Sequence, residues 1–553
     1  MLNFLKPITL VAAVLLSALL YANNLQIANV KLKNKNSVDG YVYVSFDLSW
    51  EHSWRINTEA NNRDAAWIFI KFKVANGSWQ HATLSTLATK HKPANGSMIE
   101  AAQDGKGVFI YRNSVGYGNN NWQGIELKWF YKQDGVADDT QDIEVKVFGV
   151  EMVYVPEGSF YVGDGAATAR LWDASANNAT PALIGTNPVV VRADNAEFDD
   201  VQINNTGILI DGDGGIDTNG VAAVDNPDYP TGYKAFYCMK YEITNQQYVD
   251  FLNTLSRTQQ NTRTYFDISG TEIYHPYPMN HVNTPSSRNS VRYTLNPDDV
   301  NGAVIFFPDL NENGIAGDSD DGGNIVLCNI GWADAAAYAD WAGLRPMTEL
   351  EYEKACRGPE YPIANEYAWH NTLIYGNSTT EYVFANPDTI GTENSYPLNP
   401  STDNKGNAEY QYTTGHDTQH DAPLRAGIFA TDTSDRINAG ASYYGIMELS
   451  GSMTERIVNL GEIKGRKYKG THGDGNLNEL GNADNSDWPG IVDGEESDGV
   501  KSQEGSGLKG GDWNDSPVML EVSYRRLASE DIYSPIGAGN IGSGFRCVRT
   551  AGQ

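Results

Sequence analysis

The sequence is poor in basic residues for its length. Its 553 residues include 40 Lys and Arg against 70 Asp and Glu, which gives a formal net charge of −30. A nucleic-acid-binding protein needs a basic surface to replace the counterions of the phosphates, and docking on anionic lipid also needs basic residues. The composition therefore argues against nucleic acid as a partner and disfavours an anionic membrane surface.

Long apolar runs are absent after residue 22. Lys6 precedes an apolar run at residues 8–16, and Ala22 stands just before polar sequence. This arrangement is typical of a secretory signal peptide cleaved after Ala22, and a membrane anchor is the alternative. We expect residues 1–22 to be a signal peptide and the protein to be exported (secreted, periplasmic or at the cell surface). No transmembrane segment is expected in the mature chain.

Cysteine is scarce. An even number of cysteines in an oxidising compartment permits two disulfides, while a chain of this size can equally keep buried free thiols. The sequence leaves both alternatives open. The four cysteines are Cys238, Cys328, Cys356 and Cys547.

Residues 23–149 show the pattern of short strands. Val42, Val44 and Phe46 alternate with polar residues, which is the period of a half-buried strand. Clusters of Asn, Gly and Asp separate the segments, and no helical pattern intervenes. This part is predicted to be an antiparallel β-sandwich domain. The further predicted strands are residues 66–74, 108–112, 125–131 and 143–148.

The pattern changes after residue 150. Thr244 and Thr348 each begin a capping box, and an Ala-rich segment at 332–341 is followed by the terminator Gly343. Long loops rich in Asn, Asp and Gly fill most of the remaining chain. Residues 150–553 are therefore predicted to form an α+β domain of low regular secondary structure, whose loops need ions, disulfides or dense hydrogen bonding to hold one shape.

Ordered sequence blocks in this second part resemble the formylglycine-generating enzyme family, also called sulfatase-modifying factors. The resemblance implies a C-type-lectin-like fold for residues 150–553. The blocks are MVYVPEGSF at 152–160, YEITNQQY at 241–248, GWADA at 331–335, GLRPMTE at 343–349, YGIMELSG at 444–451, GGDW at 510–513 and GFR at 544–546.

The chain departs from the family where the oxidase members carry their chemistry. Those members have two cysteines five residues apart, shortly after the Gly-Gly block, and the thiolates bind copper(I) and activate oxygen. Asp515 and Leu520 occupy these positions here. Leu cannot bind a metal, and a carboxylate is a hard ligand unsuited to copper(I). Copper is therefore not expected, and formylglycine-generating oxidase activity is predicted to be absent.

The resemblance also implies a structural calcium site and disulfide positions. The family's Gly-Asn-x-Trp-Glu-Trp block reads GSMTER at 451–456, which retains Glu455 and has Ser452 in place of Asn. Ca²⁺ bound by Ser450, Gly451, Ser452 and Glu455 is one interpretation, and a Glu455 bound by Arg or backbone donors is the other. Cys547 and Cys356 match family disulfide positions without their usual partners, and Cys328 is a substitute partner for Cys547.

A second calcium site is indicated by residues 309–320, which lie between two family blocks. Oxygen-bearing side chains stand at positions 1, 3 and 5, and Gly314 stands at position 6, where an EF-hand-like loop turns sharply. The alternative is a solvated acidic loop. We expect bound Ca²⁺ to order this insertion. The predicted ligands are Asp309, Asn311, Asn313, the carbonyl of Ile315, and Asp320, with Asp318 as an alternative or water-mediated ligand.

Two weaker candidates remain. The acidic run at 211–219 resembles a calcium loop but lacks a closing carboxylate. His416 and His420 have the spacing of a helical metal pair without a helical pattern around them, so a polar loop is the simpler interpretation. Together with His472 and Asp474 they are the residues from which a nonheme iron site could be built.

Two function classes follow. The first is a non-catalytic, calcium-stabilised binding or structural module with a protein or glycan partner outside the cytoplasm. The second is an enzyme of the wider family that uses another metal, such as nonheme iron. Converging His and carboxylate side chains around an open position would favour the enzyme, whereas a cleft without such ligands would favour the binding module.

Overall fold

The computed structural model describes residues 25–552 except residues 59, 76, 139–141, 167–170, 174–179, 194–200, 205–225, 377–381, 386–393, 398–403, 412–421, 431–433 and 529–541. Sheet dominates and the helices are few and short, so the protein is of the α+β class, as predicted. The predicted signal peptide, the acidic run at 211–219 and the pair His416 and His420 lie outside the described residues.

Five of the first eight strands contain or overlap the predicted strands, and β1, β4 and β5 were not predicted. In β2, Val42, Val44 and Phe46 are buried, whereas the alternate residues Tyr41 and Tyr43 are only partly covered. Strands β1, β2 and β7 form one antiparallel sheet, and β3–β6 and β8 belong to a second. The strands are β1 (Gln26–Asn36), β2 (Tyr41–Arg55), β3 (Asp64–Val74), β4 (Gln80–His81), β5 (Ser97–Ala101), β6 (Val108–Arg112), β7 (Gly116–Trp129) and β8 (Ile143–Val155).

One apolar core joins these two sheets. Trp50 and Leu48 of β2 and Trp129 of β7 belong to the same buried cluster as Ile68 and Ile70 of β3. The alternate residues Trp67 and Phe69 of β3 belong to the main cluster of the second part of the chain. Strand β3 therefore buries both of its faces, each against a different core.

Strand β8 crosses the predicted boundary at residue 150. It pairs with β3 from Ile143 to Val153 and with β14 from Met152 to Val155, so one sheet continues from the first part into the second. The order in this sheet is β23-β22-β17-β25-β14-β8-β3-β6-β5, with β24 beside β22 and β4 beside β3. The remaining strands are β9 (Phe160–Val162), β10 (Leu171–Asp173), β11 (Ala182–Ile184), β12 (Val190–Ala193), β13 (Val201–Asn204), β14 (Phe236–Met239), β15 (Val291–Thr294), β16 (Ile305–Pro308), β17 (Arg345–Thr348), β18 (Ile374–Tyr375), β19 (Tyr382–Ala385), β20 (Asn394–Pro397), β21 (Gly406–Asn407), β22 (Thr454–Val458), β23 (Ser506–Lys509), β24 (Ser543–Gly544) and β25 (Cys547–Thr550).

The helices begin at the predicted caps. The Thr244 side chain accepts from the Gln247 backbone N–H, and Thr348 does the same for Glu351. Gly343 follows the Ala-rich helix with a φ of 67°, a conformation that favours glycine. Within the described ranges no helix is long and apolar enough to span a membrane. The α-helices are α1 (Asn245–Leu252), α2 (Arg257–Thr262), α3 (Trp332–Trp341), α4 (Glu349–Arg357) and α5 (Ile463–Arg466), and the 3₁₀ turns are Ala88–Lys90, Glu496–Asp498, Pro517–Leu520 and Arg526–Ala528.

Candidate functional site

The loop at 309–321 begins with a fully buried carboxylate. Asp309 accepts hydrogen bonds from the backbone N–H of Gly314 at 3.2 Å and from the Tyr277 hydroxyl at 2.8 Å. Arg292 donates to the same carboxylate at 2.5 Å. The bond from Gly314 folds the loop back on its first residue, while Arg292 supplies the positive charge at Asp309.

Three carboxylates converge at the other end of this loop. One oxygen each of Asp318, Asp320 and Asp321 lie within 4.8 Å of one another. Asn311 donates to Asp320 at 2.8 Å, and Asn313 donates to Asp318 at 2.8 Å. The structure therefore groups Asp318 and Asp320 with Asp321, whereas Asn311 and Asn313 turn their amide N–H groups toward these carboxylates. The predicted ligand Asp309 is paired with Arg292 instead.

Asp321 was not predicted, and it is the most buried member of this acidic group. Its carboxylate accepts from the backbone N–H groups of Gly317 at 2.9 Å and Asp318 at 2.8 Å. Burial raises the pKa of Asp321 to about 6, against the effect of these two bonds. Carboxylate oxygens at this spacing repel one another and are the ligands that Ca²⁺ prefers. Ile315 is 59% exposed, and its N–H donates to Asn313.

The residues at 450–455 form a buried turn. The Ser450 hydroxyl donates to the Leu520 carbonyl at 2.8 Å and accepts from the Ala368 N–H at 3.1 Å. Gly451 adopts a φ of 87° and approaches the Glu409 carbonyl so closely that a Cβ would lie 2.4 Å from that oxygen. Ser452, with a φ of 70°, accepts from the Trp513 N–H through its carbonyl. These contacts join the turn to its neighbours.

Glu455 belongs to a buried group of three glutamates around one guanidinium. Arg546 donates to the Glu455 carboxylate, to the Met447 carbonyl at 2.9 Å and to the Glu448 carbonyl at 3.1 Å. The second oxygens (Oε2) of Glu242, Glu448 and Glu455 have no hydrogen-bond partner within the described part of the chain. Sequence reasoning singled out Glu455 and Arg546 alone, although Glu242 and Glu448 lie in the YEITNQQY and YGIMELSG blocks.

The three carboxyl groups hold their protons more tightly than ordinary glutamates. Burial raises the pKa of Glu448 to about 7. Burial, followed by repulsion from Glu455, raises the pKa of Glu242 well above its usual range. Arg546 opposes the effect of burial at Glu455, whose pKa is raised nonetheless. Arg546 and Arg425, which lowers the pKa of Glu448, do not offset burial at these carboxyl groups, so protonation of the group is favoured.

Asp515 and Leu520, which the resemblance predicts at the positions of the family's cysteine pair, are a partly buried carboxylate and a buried apolar side chain. Asp515 accepts from the Asp512 backbone N–H at 2.9 Å, and burial together with repulsion from Asp515 raises the pKa of Asp512 to about 7. Leu520 is fully buried and packs in a cluster with Tyr367 and Trp369. Neither side chain has a sulfur atom that could bind copper(I).

All four cysteines are buried and unpaired, which is one of the two alternatives that the sequence left open. Burial raises the pKa of Cys238 and of Cys328 to about 12, and it raises those of Cys356 and Cys547 as well. Because the thiolate is the form that binds metals, these thiols are poor ligands as they stand.

His472 and Asp474 are engaged elsewhere. Nε2 of His472 accepts from the Thr550 backbone N–H at 3.1 Å, and burial lowers the pKa of this imidazole well below its usual value. The Asp474 carboxylate accepts from the Asn476 N–H at 2.8 Å. Among the described residues, the three aspartates at 318–321 are the group of His, Cys, Asp or Glu whose ligand atoms are close enough for one metal ion.

Comparison with known proteins identifies the second part of the chain. The family model of the sulfatase-modifying factor enzyme 1-like domain (FGE-sulfatase) matches residues 193–551. No curated protein matches the sequence. The family match contains six of the seven ordered blocks, from 241–248 to 544–546, and leaves the block at 152–160 outside. It confirms the family resemblance and spans more than half of the chain. The protein therefore belongs to the family of sulfatase-modifying factor enzyme 1-like domains.

Proposed function

We propose that the protein is an exported binding or structural module of this family that is stabilised by calcium and has no copper-oxidase chemistry. Its partner is a protein or a glycan outside the cytoplasm. The observation that carries the proposal is the pair Asp515 and Leu520 at the two cysteine positions. The copper(I) centre of the oxidase members needs a pair of thiolates, which this loop does not offer, since its one sulfur atom is the thioether of Met519.

The surroundings of these two positions support the proposal. Leu520 lies against Trp369 in an apolar cluster, and the Asp515 carboxylate is used by the backbone of its own loop. The raised thiol pKa values of the four cysteines disfavour a substitute thiolate pair. We also propose that residues 23–149 form a β-sandwich, which the shared core of β2, β3 and β7 supports. Family membership supports a C-type-lectin-like fold for the remainder.

Calcium has two proposed sites. At the first, the Asp318, Asp320 and Asp321 oxygens supply three hard ligands. The second site is at Glu455, whose Oε2 has no hydrogen-bond donor in the described chain and is available to a cation. Arg546 binds the other oxygen, Oε1, and its positive charge opposes a cation there. The first site fits a divalent cation better, because no guanidinium contacts its three carboxylates in the described structure.

Metal analysis and calcium chelation test the proposal. Purified protein should contain calcium without stoichiometric copper, and chelation should lower its melting temperature. Replacing Asp309 and Asn311 with Ala should remove part of that calcium effect, because both residues shape the loop. A stoichiometric copper(I) content would contradict the loss of oxidase chemistry, and an unchanged melting curve in excess chelator would contradict structural calcium.

A further inference from the structure

A polar cavity of about 270 Å³ lies far along the chain from the residues discussed above. It opens between the turn that links β2 to β3 and the segment that links β6 to β7. The Asn62 side chain in this turn donates to the Tyr444 carbonyl at 2.6 Å, so the cavity adjoins the family domain. The lining residues are Arg55, Ile56, Asn57, Asn61, Asn62, Arg63, Asn113 and Val115.

Among the described residues of this lining, the charged ones are both arginines. The guanidinium carbons of Arg55 and Arg63 lie 5.5 and 4.2 Å from the centre of the Tyr111 ring. Arg63 also donates to Glu100 at 3.1 Å, whereas Arg55 has no carboxylate partner in the described part of the chain and donates to the Arg112 carbonyl. In a protein of net charge −30, an arginine without an acidic partner among the described residues can bind an external anion.

The arginines are held in place before any ligand arrives. Arg63 lies 4.2 Å from the centre of the Tyr154 ring and donates to the Tyr237 hydroxyl at 2.5 Å. Its Nε has no hydrogen-bond partner within the residues described. A guanidinium fixed by aromatic rings loses little side-chain entropy on binding, which favours recognition of a planar carboxylate.

Free amides complete the lining. The side chains of Asn57, Asn61 and Asn113 are exposed and make no hydrogen bond to other described residues. An amide both donates and accepts, so it can pair with a hydroxyl group in either sense. Ile56 and the half-exposed Val115 add apolar contact. Amides, apolar carbons and a guanidinium together suit a ring that carries hydroxyls and one carboxylate.

We propose that this cavity binds a carboxylate-bearing sugar residue, such as a uronic acid. The volume is close to the lower end of the range of about 300–1,000 Å³ for small-molecule sites, which suits one sugar ring. A long polyanion would be repelled by the net charge of the whole protein, whereas a single carboxylate meets only the local field of the arginines. The inference deepens the proposed binding role by naming a glycan class.

Titration calorimetry of the full mature chain with D-glucuronate and with D-glucose tests the inference. Glucuronate should bind, glucose should bind at least about tenfold more weakly, and added salt should weaken glucuronate binding. Arg55→Gln should weaken glucuronate binding by about tenfold or more. Asn57→Ala should weaken it less, because one neutral hydrogen bond is lost. Lys31→Gln, an equal change of charge at an exposed residue of β1, should leave binding unchanged.

The outcomes are decisive in each case. Equal affinity for glucose, full competition by acetate at the same concentration as glucuronate, or an Arg55→Gln variant that binds normally would each overturn the inference. Circular dichroism of the variants separates loss of binding from loss of folding. Copper-dependent oxidation of a thiol would overturn the proposed function and leave glucuronate binding untouched, so the two failures are distinguishable.

Discussion

Replacing Asp321 with Asn separates the effect of calcium on the 309–321 loop from that of the loop's own hydrogen bonds. The Asn oxygen can still accept from the backbone N–H groups of Gly317 and Asp318, as one oxygen of Asp321 does. The bond that the other Asp321 oxygen accepts from the Asn311 amide at 3.2 Å is lost. The substitution removes one of three carboxylates whose oxygens lie within 4.8 Å. Without calcium the change should therefore relieve repulsion, and with calcium it should remove a ligand.

The two effects have opposite signs and comparable size. Carboxylates 4.8 Å apart repel by about 1 kcal/mol per pair in water, and Asp321 takes part in two of the three pairs. In chelator this relief is partly offset by loss of the bond from Asn311, so the variant loop should be as stable as the wild type or more stable by up to about 1 kcal/mol. Calcium at about 100 times its dissociation constant should stabilise the wild-type loop by about 2.7 kcal/mol.

Hydrogen exchange followed by mass spectrometry on a peptide that covers residues 309–321 measures both effects. Calcium should slow exchange of the wild-type peptide by about 100-fold and that of Asp321→Asn by less than about tenfold. In chelator the variant should exchange no faster than the wild type. Asp298→Asn, at an exposed aspartate outside the loop, is the matched control and should respond to calcium as the wild type does.

Two results would refute this reasoning. If calcium protects wild type and Asp321→Asn equally, the three aspartates do not bind the ion. If the variant exchanges faster than the wild type in chelator, the carboxylate of Asp321 stabilises the loop without calcium, and its role is that of a hydrogen-bond acceptor.

Three further predictions concern stability and use denaturant unfolding. Arg546→Met should lower the free energy of unfolding by about 3–5 kcal/mol, because it leaves buried Glu455 without its cation. Adding Glu455→Gln to this variant should recover part of the loss. Equal loss in the single and double variants would contradict the importance of the ion pair. Burial lowers the pKa of Lys354 from 10.5 to about 7, so the unfolded chain holds more protons between these values. Buried thiols and other lysines also titrate in this window, so the test is a difference between two proteins. The stability of the wild type relative to Lys354→Met should rise with pH across that window by at most about 5 kcal/mol; a difference that does not change with pH would show that Lys354 keeps its ordinary pKa. Thr348→Ala should cost about 1 kcal/mol through loss of the cap on Glu351, and a neutral result would show that the capping bond is unimportant.

Local features of this chain were predictable because they depend on neighbours in sequence. The capping boxes at Thr244 and Thr348 and the alternation in β2 appear where the sequence indicates them. In each case the hydrogen bond or the buried face is set by residues two to four positions apart. The ordered blocks indicated the family for the same reason, since each one is a short, self-contained motif.

Features that depend on distant segments could not be predicted in this way. Glu242, Glu448 and Glu455 meet at Arg546 only because the sheet brings four separate blocks together. The EF-hand pattern places the last ligand at position 12 of the loop, which is Asp320. Asp321, at position 13, joins the acidic group because a turn brings its carboxylate to the Gly317 and Asp318 N–H groups, and residue spacing does not reveal this turn. The polar cavity lined by Arg55 and Arg63 forms where the β2–β3 turn meets the β6–β7 segment. These two segments are distant in sequence, so no sequence motif predicts the cavity.

Copper(I) titration with a thiol-containing peptide and dissolved oxygen asks whether this family domain has lost the copper chemistry. We propose that it has, because Asp515 and Leu520 stand in place of the two cysteines. The wild-type protein should show no stoichiometric high-affinity copper(I) binding and no conversion of the peptide cysteine to an aldehyde. Stoichiometric copper(I) binding with oxygen-dependent conversion of that cysteine would contradict the account.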